Sequence, residues 1–405
     1  MMKKYLIYLS CVLGLCIILG ITSRLSVGFS EWYAVTVYPL IVGTVGRLFG
    51  GWFPVSFAEI SLIFLIHVPG AMILALVMRL HPNKGKRKAI LIETGKSWGI
   101  HLSCFISTLL LIFILNCGIN YNRELLLNDE KYGFGENYSF TMNSDYYVKE
   151  WLVFLTALDE FHSLDLLENI QTDENGVFVL TGDLDVTAPA AIRNLSAYDK
   201  RFKTYSPRPK PVLVSGLMTM ARILGIYSPF TVEANYNNII PDSEKPITVL
   251  HELAHVAGFM REEEASFIAL LAAKESGDIE FMYTAYLDIL TSLSGGITKG
   301  ELDKLPEYYQ DLFYQYAGEV DWEETEFFDA YQMLPEQMRT DLSARFSFWW
   351  ERFNKSNLVI DAISDISAAA NDTYLKIQGQ EDGVASYGRV TDLVIAYYMT
   401  EISVP

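Results

Sequence analysis

Two histidines, His251 and His255, stand four residues apart with Glu252 between them, in the order His-Glu-Leu-Ala-His. On a helix, positions four apart share one face, so the two imidazoles can converge on a single ion. Neutral imidazole suits zinc, and a catalytic zinc site keeps one position for water beside three protein ligands. Glu252 lies about 100° round the helix from His251, close enough to take a proton from that water without joining the ligand set. Histidine is scarce in this part of the chain: after Gly118 only His162, His251 and His255 occur. Two of those three falling at ligand spacing around a glutamate argues against the bland alternative, a solvated helix face.

A third ligand is needed. His162 has no neighbours that suggest a role, so a carboxylate is the better candidate. Gly258 can end the first helix, and Arg261-Glu262-Glu263-Glu264-Ala265-Ser266 can open a second. Glu262, Glu264 and Glu275 are the contenders, although the helix carrying Glu275 is expected to end at Gly277. Acidic residues at a helix start also offset the helix dipole without any metal. The stretch Glu262 to Ser266 resembles the gluzincin pattern in which a glutamate ligand opens a following helix and an Asp or Asn four residues on orients a metal histidine. That resemblance favours Glu262, seven residues after His255. Ser266 departs from the pattern, and a hydroxyl orients an imidazole less firmly than a carboxylate.

Several elements must position these residues. Ile247 to Phe259 reads as an amphipathic helix, with Pro246 suited to its first turn. Ahead of it, 229–237 alternates as a strand, which as an edge strand could pair with an extended peptide and otherwise reads as an ordinary core strand. Val212 to Ile226 looks helical, ending near Gly225. Trp151, Phe154, Leu155, Leu158 and Phe161 recur at helical spacing. Phe346, Phe348, Trp349 and Trp350 read as helix packing. The glycine-punctuated run from Gly383 to Arg389 offers Tyr387 or Arg389 as donors to a developing oxyanion. The expected fold is mainly α with a small β-sheet, an α+β domain.

That domain is tethered. Up to Gly118 the chain holds 10 basic and 3 acidic residues, leaving 21 basic and 46 acidic for the remainder. Three apolar runs, Tyr5 to Ile21, Phe57 to Met78 and Trp98 to Ile119, approach the ~20 residues that a crossing helix needs. Glu31 to Phe53 reads as an interfacial segment, not a crossing. The first run lacks a convincing cleavage site and is read as a retained anchor. The loop carrying Arg79, Lys84, Lys86, Arg87, Lys88 and Lys96 is expected on the cytoplasmic side with Lys3 and Lys4. Residues 1–119 then form the anchor of three transmembrane helices, and residues 120–405 an exported domain. All four cysteines (Cys11, Cys16, Cys104, Cys117) fall in the apolar runs, so the exported part has neither disulfide nor thiolate. Its acidity argues against nucleic acid as a partner.

The run Ser228-Pro229-Phe230-Thr231-Val232-Glu233-Ala234-Asn235, the His-Glu-Leu-Ala-His segment, Gly258-Phe259, Arg261 to Ala265 and Asn371-Asp372-Thr373-Tyr374-Leu375-Lys376 resemble the membrane-anchored bacterial family known as domain of unknown function 3810. The resemblance implies the membrane topology and the zincin-like site, and no substrate. The expectation is a zinc metallopeptidase in the cell membrane: His251, His255 and Glu262 hold Zn2+, and Glu252 is general base toward an amide of a peptide or protein. The rival is a membrane-tethered sensor or envelope assembly factor whose metal is structural or absent.

Overall fold

The computed structural model describes residues 2–126, 144–293, 295–354, 358–378, 380 and 389–401. The N-terminal part holds α1 (Met2–Leu25), α2 (Val27–Gly51), α3 (Phe57–Leu80) and α4 (Arg87–Phe113). Among the described residues, four helices are thus long and apolar enough to cross a membrane, where the sequence led us to expect three. The addition is α2, from the segment read as interfacial. Its proline does not break it, because Pro39 sits in the first turn of Tyr38–Ile41, where no amide hydrogen is needed. All its glycines but Gly28 fall in a π-helical stretch, Val42–Gly51, where Gly46 and Gly50 let Val232 and Pro207 come close.

The four helices differ in how they run. α1 and α4 lie side by side and parallel: the Tyr5 and His101 rings are 4.7 Å apart at one end, and Asn122 Nδ2 donates to Ser23 Oγ at 3.3 Å at the other. α3 runs antiparallel to α4, since Arg79 near its end reaches Thr94 and Glu93 near the start of α4. The N-terminus and the basic α3–α4 turn therefore share one end of the bundle. α2 begins where α1 ends and hands over to α3 at that same far end, where the rest of the chain is also built.

Beyond α4 the chain is mostly helical. α5 (Ser144–Ser163) buries Trp151, Phe154, Leu155, Leu158 and Phe161, as their spacing requires. The hairpin of β1 (Gln171–Thr172) and β2 (Phe178–Val179) leads to α6 (Leu184–Asn194). A three-stranded sheet follows, from β3 (Lys210–Val212), β4 (Gly225–Ser228) and β5 (Glu233–Asn237), with α7 (Ser215–Met220) between the first two strands. β5 is central, parallel to β3 and antiparallel to β4. Then come α8 (Lys245–Val256), α9 (Glu262–Lys274) and α10 (Ile279–Ser292), which pack with α5 into the core. The chain continues through α11 (Glu307–Ala317), α12 (Glu336–Asn354), α13 (Leu358–Ile377) and α14 (Val390–Glu401).

The sheet corrects two expectations. The strand read at 229–237 is only Glu233–Asn237, and it is the buried centre of the sheet, not its edge. Pro229 to Val232 form a turn, with Val232 at φ 55°. The edges are β3 and β4, and β4 begins within the stretch read as helical to Ile226. The helix stops because Arg222 adopts φ 57°, and the β-branched and aromatic pair Ile226-Tyr227 then favours strand. The exposed Phe346 and Trp350 stack on each other at 5.4 Å on α12 instead of packing inward.

Two buried carboxylates clasp this sheet to α3. Glu233 of β5 accepts the amides of Phe57 and Ala58 at 3.1 and 2.8 Å, capping the start of α3. Glu59, in the first turn of α3, accepts the amides of Leu213 and Val214 just after β3 at 3.0 and 2.8 Å. Lys210 Nζ adds a bond to the Phe53 carbonyl.

Removing Glu233 would orphan two amides at a helix start, so Glu233→Ala should destabilise the full chain by about 3 kcal/mol. Glu233→Gln, which keeps an acceptor oxygen, should cost less; thermal unfolding in lipid nanodiscs reads the difference. Single cysteines at Lys3 and Gly85, placed in a cysteine-free background, should react with an impermeant thiol reagent from one side of a vesicle. Cysteines at Ser26 and Trp52 should react from the other, and a different partition would refute the helix directions described above.

Candidate metal centre

The centre is built on the hairpin of α8 and α9. α8 begins with Pro246 in its first turn and buries Val249, Leu250, Leu253, Ala254 and Val256. It ends in a Schellman turn: the Gly258 amide bonds to the His255 carbonyl at 2.9 Å, and the Phe259 amide to the Ala254 carbonyl at 3.1 Å. Gly258 holds φ 98°, which favours glycine. A Cβ there would also meet the Tyr38 ring of α2 at 3.2 Å. The turn reverses the chain so that α9 opens on Glu262, level with both histidines.

His251, His255 and Glu262 each offer a ligand atom, and all three atoms lie within 4.8 Å of one another. Glu262 Oε2 stands 3.1 Å from His251 Nε2 and 3.5 Å from His255 Nε2. Zinc bonds of roughly 2.0–2.2 Å in a tetrahedral array put neighbouring donors about 3.3–3.6 Å apart, close to the two distances from Glu262. Both imidazoles are fixed from behind. His251 Nδ1 meets Ser266 Oγ at 3.1 Å, and His255 Nδ1 donates to the Phe259 carbonyl at 2.7 Å. Each Nε2 is thereby aimed at the shared point, the usual outer arrangement of a metal histidine.

The charges agree with the spacing. Burial opposes ionising Glu262, yet His255 and His251 outweigh it and hold the carboxyl well below its ordinary range. Burial likewise opposes a charge on His255, but the Glu262 carboxylate overrides it and pushes the imidazole up to about 9. His251 is held low, chiefly by burial. The Glu262 carboxylate and the His255 imidazole thus hold each other charged.

Glu252 is different. It is buried, its Oε2 has no hydrogen-bond partner among the described residues, and burial pushes its carboxyl up to about 8. β4 runs directly over it: a Cβ at Gly225 would fall 2.6 Å from Glu252 Oε1, and the Tyr227 amide donates to the carboxylate. Two residues along β4, the Tyr227 ring lies 6.1 Å from that of His255. Its hydroxyl pairs with that of Tyr38 at 3.0 Å and donates to the Asn116 carbonyl just beyond α4.

Other candidates are placed elsewhere. Glu264 accepts the Leu126 amide at 2.7 Å, and Glu275 accepts the Tyr198 hydroxyl at 3.1 Å, so neither joins the histidines. His162 stacks on Tyr316 at 4.9 Å. Arg389 is exposed and interacts with Glu263 and Asp392; Tyr387 lies outside the described residues. A surface groove lined by Glu336, Arg339, Thr340 and Ser343 of α12 brings no such chemistry together. Tyr227, Tyr38 and Asn116 escaped the sequence reading. The one signal for them was the position of Tyr227 directly before the Ser228 to Asn235 run.

A family model described as "Protein of unknown function (DUF3810)" matches residues 33–395, and the chain belongs to that family. No curated protein and no solved structure matches it.

Zinc titrated into the full chain should bind at one site, read by competition with a chromogenic chelator. His255→Ala or Glu262→Ala should abolish stoichiometric binding, and Ser266→Ala should weaken it about 10- to 100-fold. Glu264→Gln and Glu275→Gln should leave it unchanged. Undiminished binding by Glu262→Ala would remove Glu262 from the ligand set.

Proposed function

We propose that this DUF3810 protein is a membrane-anchored zinc hydrolase that cuts an amide bond, a metallopeptidase. His251, His255 and Glu262 hold the ion, residues 1–119 form the anchor, and residues 120–405 carry a zincin-like domain outside the cytoplasm. When bound, zinc would supply the Lewis acidity that makes water a nucleophile and polarises a carbonyl. Glu252 accepts the proton that water loses as its oxygen bonds to the carbonyl carbon. It then gives that proton to the nitrogen as the carbon–nitrogen bond breaks, so acid and amine leave with no other reactant consumed.

The observation that carries this reading is the free oxygen of Glu252. A buried acceptor without a partner is costly, and a purely structural metal site would have no use for one beside its ligands. Burial holds the proton affinity of Glu252 high, as suits a group that must take a proton and return it. The helix-and-sheet setting agrees, with an antiparallel edge strand lying along the histidine helix. The basic α3–α4 turn favours the cytoplasmic side for that end of the bundle, which puts the metal-bearing end outside.

A second reading has its own observation. The ligands are nearly closed off, with only 15% of the His251 side chain exposed, as suits a structural metal in a membrane-tethered sensor or assembly factor.

Glu252→Gln separates the two. It should keep zinc affinity and fold while lowering hydrolysis of a peptide library by about 10²- to 10⁴-fold. Gly225→Ala, whose methyl group would displace the Glu252 carboxylate, should also lower turnover with zinc retained. A zinc-loaded wild type that cleaves nothing, indistinguishable from Glu252→Gln, would sink the hydrolase reading.

A further inference from the structure

The metal centre is built against the far ends of the apolar helices. Gly258 packs on Tyr38, and the Gly258 carbonyl accepts from Arg123 Nη1 at 2.9 Å just after α4. Asn116 ties α4 to the β4–β5 turn through the Pro229 carbonyl. No spacer separates bundle and centre. The lowest edge of the domain is also apolar. Where Glu59 fastens α3 to the sheet, Leu213 is 77% exposed, and Leu217 of α7 at 58%, Ile226 of β4 at 52% and Phe230 of the β4–β5 turn at 46% are further exposed apolar residues. Nearby, in the α2–α3 connection, Trp52 is 75% exposed, a residue type that gathers at membrane interfaces. The exposed apolar belt of α3 starts at Leu62, one residue past a single turn from Phe57. Leu213 thus lies within about 5–8 Å of the start of that belt along the axis, and the β4–β5 turn is held to the same end by Asn116 and Gly46.

β4 leads into that turn. It has β5 on one side, and among the described residues no strand covers its other edge. Gly225 sits over Glu252 and Ile226 is one of the exposed apolar residues, so a chain added to this edge would lie at the bilayer surface, beside the general base. A free peptide in water gains nothing from that position, whereas a polypeptide with its own membrane anchor is already held there.

Resting on the hydrolase reading, we infer that the substrate is a membrane-anchored polypeptide, taken as an extended strand along β4 and cut within its first few residues outside the bilayer. The test uses the full chain, zinc-loaded, in liposomes. One degenerate peptide segment is presented in three ways: free, fused directly to a transmembrane helix, and fused to the same helix through a flexible spacer of about 40 residues, long enough to lift it well clear of the surface. Both tethered forms share the gain in local concentration, so the spacer isolates position. The direct fusion should be cut at least about tenfold faster than the spacer form, a margin above what tether length alone gives, with cuts clustered beside the anchor. A photoreactive phenylalanine analogue in place of Ile226, combined with Glu252→Gln, should crosslink the direct fusion and not the free peptide. Equal cutting of the three forms, or crosslinking indifferent to the anchor, overturns this inference and leaves the hydrolase reading intact. No cutting of any form by zinc-loaded protein overturns both.

Discussion

A carboxylate buried beside two imidazoles needs partners for its charge, and that requirement joins α8 to α9. Glu262 comes from the first residue of α9, and His251 and His255 from one face of α8. Their meeting depends on a single reversal of the chain at Gly258, where the backbone takes a conformation that a side chain would oppose. The same turn presents the Phe259 carbonyl to His255, while the first turn of α9 presents Ser266 to His251. One hairpin thus supplies three inner groups and both outer supports. The remaining elements fix its depth and its neighbours.

Those neighbours come from the apolar half of the chain. Tyr38 of α2 closes against Gly258 and reaches Tyr227. Asn116, just beyond α4, receives the Tyr227 hydroxyl and holds the Pro229 carbonyl. The apolar and acidic parts of the sequence, so different in composition, meet at the one place where chemistry is concentrated. α2 explains how: it is apolar enough to be mistaken for a plain membrane helix, yet it begins and ends at the domain side, and its glycines admit Val232 and Pro207.

The centre was legible in the sequence because it is local. Helical period alone aligns His251 with His255, and the glycine turn followed by a run of glutamates sets the distance to Glu262. Choosing Glu262 over Glu264 and Glu275 needed the direction in which α9 leaves the turn, which only the packing of α8 on α9 determines. Ser266 entered only through the resemblance to the gluzincin pattern, from which it departs, and its bond to His251 came with the structure. The sheet was not legible. Alternation in 229–237 is real, but Val232 with φ 55° breaks it into a turn and a strand. β4 hid inside a stretch of helical appearance, because its short length and its single glycine make sense only against Glu252. Tyr38 is about 190 residues from Tyr227, and no spacing rule joins groups so distant. The three plain apolar helices followed from length and composition; α2 did not, since its Pro39 and glycines look like helix breakers until their positions within the helix are known.

The reciprocal bonds of Glu233 and Glu59 leave no flexible joint between α3 and the sheet. Any tilt of α3, as when the surrounding lipid thins or thickens, is therefore a displacement of β5, and with it of the paired β4. β4 has no slack above Glu252, because Gly225 already lies within contact distance of the carboxylate. A shift of β4 would therefore be felt first at the Glu252 carboxylate, the group that its Gly225 lies against.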